Sequence, residues 1–233
     1  MKKALIFGIS GQDGAYLAEY LFEKIYQVFV TSRNSHTDNV DHFSNLTTLK
    51  VFDKIRLYSV DIRDPRAVKN IVDEIIPDEI YNLAGQSSVA FSFKYPEETC
   101  GSIVNVNLNI LKAISSFSNK IKYYHSCSSE CFGNTNENAA DENTPFSPLS
   151  PYAQAKAEAF ITAKEHRENY GFFVWNGILF NHESPLRPDH FVTKKVVSAA
   201  CRIAQGSKEK LELGNIEICR DWGWAPEYVQ AMW

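Results

Sequence analysis

Four side chains able to do chemistry stand close together near the middle of the chain. Ser128 and Glu130 lie in SCSSECFG (126–133), and Tyr152 and Lys156 in SPYAQAK (150–156). Tyr152 and Lys156 are four residues apart, so on a helix they share one face. An ammonium beside a phenol favours the phenolate, and an oxidised nicotinamide adds further positive charge. That combination lets Tyr152 act as a base on a sugar hydroxyl near neutral pH. The spacing alone is weak, since Tyr20 and Lys24 share it; those two read as a surface-helix pair. What distinguishes Tyr152 and Lys156 is the Ser-rich segment before them, where Ser128 supplies a hydroxyl partner. Oxidation of an alcohol needs only that Ser, Tyr and Lys, which leaves Glu130 surplus. Once C4 of a hexose is a ketone, its C5 proton is acidified and a carboxylate can remove it. Water then leaves from C6, and the hydride returns there. Glu130 is placed as the C5 base and the C6 proton donor. A solvated loop is the common fate of a glutamate, but its register with the other three groups favours chemistry.

Such a cluster has to be held by a scaffold. Residues 4–7, 28–31, 55–58, 79–83, 121–125 and 172–179 read as strands, rich in Ile, Val, Phe and Tyr. Residues 14–24, 65–75, 96–117 and 151–170 read as helices. Pro65, Pro96 and Pro151 stand where a first-turn proline is tolerated, with Asp64 and Ser150 as N-caps. This alternation predicts an α/β fold, a Rossmann-like, doubly wound parallel sheet with helices on both faces. Residues 1–180 form the expected dinucleotide-binding domain. From about 181 the pattern changes: a polar, Pro-rich stretch, a helix over 191–205, a short strand at 211–213, and an amphipathic helix still running at Trp233. Residues 181–233 are expected to begin a smaller, incomplete C-terminal substrate domain, with Tyr228, Met232 and Trp233 needing apolar neighbours.

The segment GISGQDG (8–14) follows the first strand and opens the first helix. Glycines there allow a sharp turn and close approach of a pyrophosphate, which helix N-terminal N–H groups meet. Gly8, Ser10, Gly11, Gln12, Asp13 and Gly14 are the expected contacts. The second strand ends in Val30-Thr31-Ser32-Arg33-Asn34-Ser35, with no acid and one guanidinium. An arginine accommodates a ribose 2′-phosphate, so NADP is favoured over NAD through Arg33. Asp61 and Ile62 after the third strand, and Leu83, Ala84, Gly85, Gln86 and Ser87 after the fourth, lie along the same carboxyl edge.

The chain has 233 residues, 44% hydrophobic and 22% charged, with a net charge of -4. That balance gives no electrostatic case for nucleic acid or an anionic membrane. The five cysteines have no metal spacing, and an odd count suits a reducing compartment. Cys127 and Cys131 read as small buried thiols. No signal peptide is expected, because the apolar run 4–9 is broken at once by Gly8, Gly11 and Asp13. A cytoplasmic protein is the reading.

Together these motifs resemble the GDP-mannose 4,6-dehydratases of the extended short-chain dehydrogenase/reductase superfamily. The resemblance runs through nearly the whole chain. Its most specific parts are GISGQDGAYLAEYL, PDEIYNLAGQSSVAFSF, SPYAQAK, NGILFNHESPLR, FVTKK and RDWGWAPEYVQAMW. It implies catalytic roles for Ser128, Glu130, Tyr152 and Lys156, and contacts from Tyr152, Lys156, His182 and Arg187 to NADP. It also implies GDP-mannose contacts from Ser88, Asn181, Lys195 and Arg220, and a homo-oligomer, dimer or tetramer. Three departures stand out. Ser128 replaces the family's commoner Thr, Cys131 and Phe132 replace Leu and Tyr, and the loop 34–49 departs from an arginine-rich segment. The family also continues well beyond the position of Trp233. The alternatives are another nucleotide-sugar dehydratase, a 4-epimerase or a 4-ketosugar reductase of the superfamily, or a non-catalytic NADP-binding protein. Glu130 argues against the epimerase and the reductase. Ser129 before it argues against a dTDP-glucose dehydratase, where an Asp-Glu pair is expected.

Overall fold

In the computed structural model, residues 1–33, 40–117, 120–136 and 138–233 are described. Residues 34–39, within the loop 34–49 singled out in the sequence, lie outside them. Six parallel strands form one sheet: β1 (Lys3–Phe7), β2 (Gln27–Ser32), β3 (Arg56–Ser59), β4 (Glu79–Asn82), β5 (Lys122–Ser128) and β6 (Val174–Leu179). Their order is β3-β2-β1-β4-β5-β6. The winding direction therefore reverses between β1 and β4, where an open α/β sheet leaves a crevice at its carboxyl edge.

Side-chain alternation along the strands divides the core. Ala4 and Ile6 of β1 pack on one face with α1 (Gln12–Glu23) and α9 (Ala225–Met232), through Leu17, Leu21, Val229 and Met232. Leu5 and Phe7 point to the other face, against α3 (Pro65–Ile75) and α6 (Val106–Ile114). In α3, Val68, Ile71, Val72 and Ile75 share the buried stripe, and the helix starts at the Asp64 cap, which accepts from Arg66 N–H at 2.8 Å. The stretch predicted as one helix over 96–117 divides into α5 (Pro96–Cys100), a π-helical turn at Gly101–Asn105, α6, and a 3-10 turn.

Two short helices were not expected, α2 (Ser44–Thr48) and α4 (Val89–Lys94). Nor was a separate parallel pair of strands, β7 (Asn181–Glu183) with β8 (Trp222–Trp224). The strand expected at 211–213 is not formed, because no strand lies beside it; the carbonyl of Glu212 accepts from Lys195 Nζ instead. Helix α8 (Val192–Ala204) buries only Ala199. The last helix, α9, gains its apolar neighbours along α1: Tyr20 meets Trp233 edge-on at 5.8 Å, with Lys24 Nζ 4.9 Å above both rings. Tyr20 and Lys24 thus hold the end of the chain rather than a free surface. No helix among the described residues is long and apolar enough to cross a membrane.

Candidate active site

β5 runs three residues further than its apolar pattern suggests, because Cys127 and Ser128 pair with Ile178 and Leu179 of β6. Ser128 is therefore the last strand residue, and its hydroxyl caps the following 3-10 turn by accepting from Glu130 N–H at 3.3 Å. This turn presents Glu130 at the carboxyl edge, a third exposed, with Arg220 Nη2 3.5 Å from its Oε1. From the other side comes α7 (Pro151–Tyr170), started by Ser150, whose hydroxyl accepts from Ala153 N–H at 3.1 Å. Its inner face is mostly alanine (Ala153, Ala155, Ala157, Ala159, Ala163), so it sits close to the sheet. Buried thiols fill the gap: Cys127 and Cys131 lie 3.5 Å apart and donate to the carbonyls of Lys156 and Ala153. That closeness brings Tyr152 to the Ser128 hydroxyl and Lys156 to the Ser126 carbonyl.

The electrostatics differ from the sequence expectation. Lys156 Nζ donates to the carbonyl of Ser126 at 2.8 Å and lies 6.0 Å from the centre of the Tyr152 ring. Burial pulls Lys156 below its usual range, with Cys127, Cys131 and Asp13 opposing it. Burial also pushes the Tyr152 phenol well above its ordinary range; the Ser128 hydroxyl opposes this, and the Glu130 charge adds to it. Desolvation outweighs the ammonium here.

A polar network supports the site from within the core. Asn82 donates to Tyr123 Oη, which donates to Asn107 Oδ1 at 2.8 Å, and Asn107 donates to the carbonyl of Ala159 on α7. Ser126 Oγ donates to the carbonyl of Asn82. His125, fully buried beside Lys156, is held neutral by desolvation first and by the lysine charge second. Sequence reasoning missed these residues. The signal was present in the asparagines of the otherwise apolar segment IVNVNLNIL (103–111).

At the switch point, the loop after β1 has the shape of a dinucleotide cradle. Gly8 has φ +94, and a Cβ there would lie 2.6 Å from Leu83 C and 2.7 Å from Ala84 N. At Gly14 a Cβ would come within 2.5 Å of the Gly8 carbonyl. The backbone therefore turns straight from β1 into α1, and these residues fit a pyrophosphate at the helix N-terminus. Ser10 and Arg187 line one cleft of about 520 Å3, together with His42, Asn45 and Leu186. Arg187 lies 3.3 Å from Glu183 Oε1 and 3.6 Å above the Phe191 ring.

The family model described as GDP-mannose 4,6 dehydratase matches residues 5–233. The chain belongs to the GDP-mannose 4,6-dehydratase family. It is 45% identical to the GDP-mannose 4,6-dehydratase of Yersinia enterocolitica over 238 residues, covering 100% of this chain and 64% of the relative. With GDP-mannose 4,6 dehydratase 1 of Arabidopsis thaliana it shares 44% over 245 residues, covering 100% and 66%. The human GDP-mannose 4,6 dehydratase is 41% identical over 235 residues, covering 99% and 63%. The chain thus spans a little under two thirds of the length of these relatives. Among solved structures, a dTDP-glucose 4,6-dehydratase from Streptomyces venezuelae, with NAD and TYD bound, superposes with TM-score 0.85 at 20% identity, over 99% of this chain and 70% of that one. A Thermus thermophilus UDP-glucose 4-epimerase complexed with NAD gives TM-score 0.82 at 22% identity, over 98% and 72%. At these identities the likeness is one of fold.

Family positions distribute unevenly over the structure. Ser128, Glu130, Tyr152, Lys156 and Arg220 converge on one edge. Gln86 is turned inward, bonding Thr99 Oγ1 at 2.9 Å and the Ser88 N–H at 2.8 Å, while the Ser88 hydroxyl caps α4. Asp61 is engaged by Arg63 at 2.6 Å, which holds its carboxyl down at about 2. Ile62 gives its carbonyl to Asn109. Arg33 is exposed just past β2. Asn181 pairs with Trp222 in the β7–β8 ladder, and Lys195 is turned to Glu212. The side chains of Gln12 and Asp13 bond to Ser184 and His182.

Proposed function

We propose that the protein is a GDP-mannose 4,6-dehydratase, converting GDP-mannose to GDP-4-keto-6-deoxymannose with loss of one water and no net redox change. The observation that carries this reading is Glu130. It is a carboxylate beyond the Ser–Tyr–Lys set, on the same turn as Ser128, and near enough for its charge to act on Tyr152. A nicotinamide dinucleotide, held by the Gly8–Gly14 loop at the β1–β4 crevice, would supply a reversible hydride acceptor between C4 and C6 of the sugar. Tyr152, bonded to Ser128, takes the O4 proton. Lys156, fixed by the Ser126 carbonyl, adds the positive charge that makes this transfer accessible. Glu130 then removes the C5 proton, acidified by the C4 ketone, and passes it to the C6 hydroxyl, which departs as water. The proton held by Tyr152 goes to C5, so the atoms balance.

For the cofactor we infer NADP. Arg33 stands exposed after β2, and the segment 30–35 has no acid for a ribose 2′-hydroxyl. Residues 181–233 are taken as the start of the nucleotide-sugar side, with Arg187, Lys195 and Arg220 as cations suited to a diphosphate. The five free cysteines support a reducing, cytoplasmic setting. The exposed apolar side chains Phe93, Tyr95 and Ile161 support self-association.

Incubating the protein with GDP-mannose and substoichiometric NADP tests the reading by mass spectrometry. The expected product lacks one water, without accumulation of reduced cofactor, and Glu130→Gln abolishes it. Reduced cofactor accumulating with an undehydrated 4-keto sugar in the wild type would exclude a dehydratase.

A further inference from the structure

Four hydrogen-bonding side chains cross from the dinucleotide loop to the segment after residue 180. Gln12 is 4% exposed and uses both ends of its amide: Nε2 donates to the His182 carbonyl at 2.9 Å, and Oε1 accepts from Ser184 Oγ at 2.8 Å. Ser184 Oγ in turn accepts from Leu186 N–H at 3.1 Å. Asp13 Oδ2 lies 2.8 Å from His182 Nε2, and the Phe180 carbonyl 2.7 Å from His182 Nδ1. A carbonyl and an ionised carboxylate only accept, so both bonds form together only when both ring nitrogens carry hydrogen. The ring that satisfies its surroundings is therefore the imidazolium.

Other groups agree. Tyr228 of α9 stacks on the His182 ring at 4.4 Å and 18°, an arrangement that favours a cation. Gly223 permits it, since a Cβ there would lie 2.2 Å from the Tyr228 ring. Burial works against the charged imidazole, but the hydrogen bond and charge of Asp13 prevail and raise its pKa, with Arg187 opposing. Around the pair, Lys156 and Tyr124 face Asp13, and Asp221 faces Tyr228.

We propose that Asp13 and Gln12 are positioning residues: the Asp13–His182 ion pair, with the Gln12 amide beside it, latches the residues after 180 onto the dinucleotide loop, and the latch holds only while the imidazole is protonated. The latch sets where β7–β8 and the adjoining Arg187 and Arg220 stand relative to the crevice. It rests on the functional reading only in taking those residues as the sugar-nucleotide side. A group whose folded pKa is raised stabilises below its unfolded pKa and loses that contribution as pH rises through the folded value. While Asp13 is ionised, the latch is therefore closed below the ordinary histidine range and loosens as pH rises through the raised folded value of His182.

The test needs no turnover, so it stands apart from the dehydratase assay. Nitrogen-15 histidine NMR on the wild-type chain, with His182→Gln for assignment, reads the ring directly. Both nitrogens should be protonated at about pH 7, with loss above the ordinary histidine range of about 6.5. Asp13→Asn, which keeps shape and removes charge, should lower that pKa by about one unit or more. One unit corresponds to about a tenfold change in the closed-to-open ratio, read as faster amide exchange over 181–186 and 225–232. NADP affinity, measured by fluorescence in parallel, tells a positioning role from a cofactor contact. A His182 neutral at about pH 7 in the wild type overturns the proposal. So does an Asp13→Asn that weakens NADP binding and leaves exchange unchanged, which would make Asp13 a cofactor contact. If Asp13→Asn fails to fold, the wild-type titration decides alone.

Discussion

Two glycines of one motif should respond to the same substitution in opposite ways. At Gly8, alanine meets a backbone at φ +94, and its Cβ falls 2.6 Å from Leu83 C and 2.7 Å from both Ala84 N and Leu83 O. These are rigid atoms where β4 ends, so relief requires β1 and β4 to separate. Left-handed backbone costs an alanine about 1–2 kcal/mol. Forced overpacking adds about 1–3 kcal/mol, giving about 2–5 kcal/mol for Gly8→Ala. At Gly11 the backbone is extended, φ −71 and ψ 166, and the nearest atom to an added Cβ is the Gly8 carbonyl at an ordinary 3.7 Å. Gly11→Ala loses only part of an N-cap preference, less than about 1 kcal/mol. Urea denaturation followed by circular dichroism measures both. Gly8→Ala should lower the midpoint sharply at unchanged m, and Gly11→Ala should hardly move it. Equal midpoints for the two variants would refute the account of how the loop is built.

Tyr123→Phe removes the hydroxyl between Asn82 and Asn107 and leaves two buried amides short of a partner; a loss of about 1–3 kcal/mol is expected by the same denaturation. Asp61 has its carboxyl lowered to about 2 by Arg63. Its contribution is present above the unfolded value and is lost as pH falls from about 4 toward 2. Because the pair is partly exposed, Asp61→Asn should cost less than about 1 kcal/mol near neutrality and flatten the acid limb of the stability–pH profile. A thiol reagent applied to the folded protein should label Cys100, Cys201 and Cys219 quickly, and Cys127 and Cys131 only on unfolding.

Much of this fold can be read from the sequence, because strands and helices of a doubly wound sheet carry local signatures. Prolines at helix starts, caps at Asp64 and Ser150, and the glycine loop all fell where expected. The convergence of Ser128 with Tyr152 and Lys156 was also legible, since strand ends in a parallel sheet share an edge. Interactions set by burial or by distant segments were not. The phenol of Tyr152 is raised rather than lowered because desolvation depends on how closely α7 approaches β5. The glycine motif gave no sign that the side chains of Gln12 and Asp13 bond to residues 172 and 169 positions away. Three-residue strands such as β7 and β8 have no periodicity to detect, and at 211–213 apolar spacing suggested a strand that pairs with none among the described residues.

The central claim is that hydride leaves C4 and returns to C6 of the same sugar while Glu130 handles the C5 proton. GDP-mannose carrying deuterium at C4, turned over with catalytic NADP in ordinary water, tests both parts through NMR of the product. The account predicts deuterium in the C6 methyl group, and in heavy water a solvent deuteron at C5, with no product from Glu130→Gln. Product without the label at C6, or unimpaired turnover by Glu130→Gln, would contradict it.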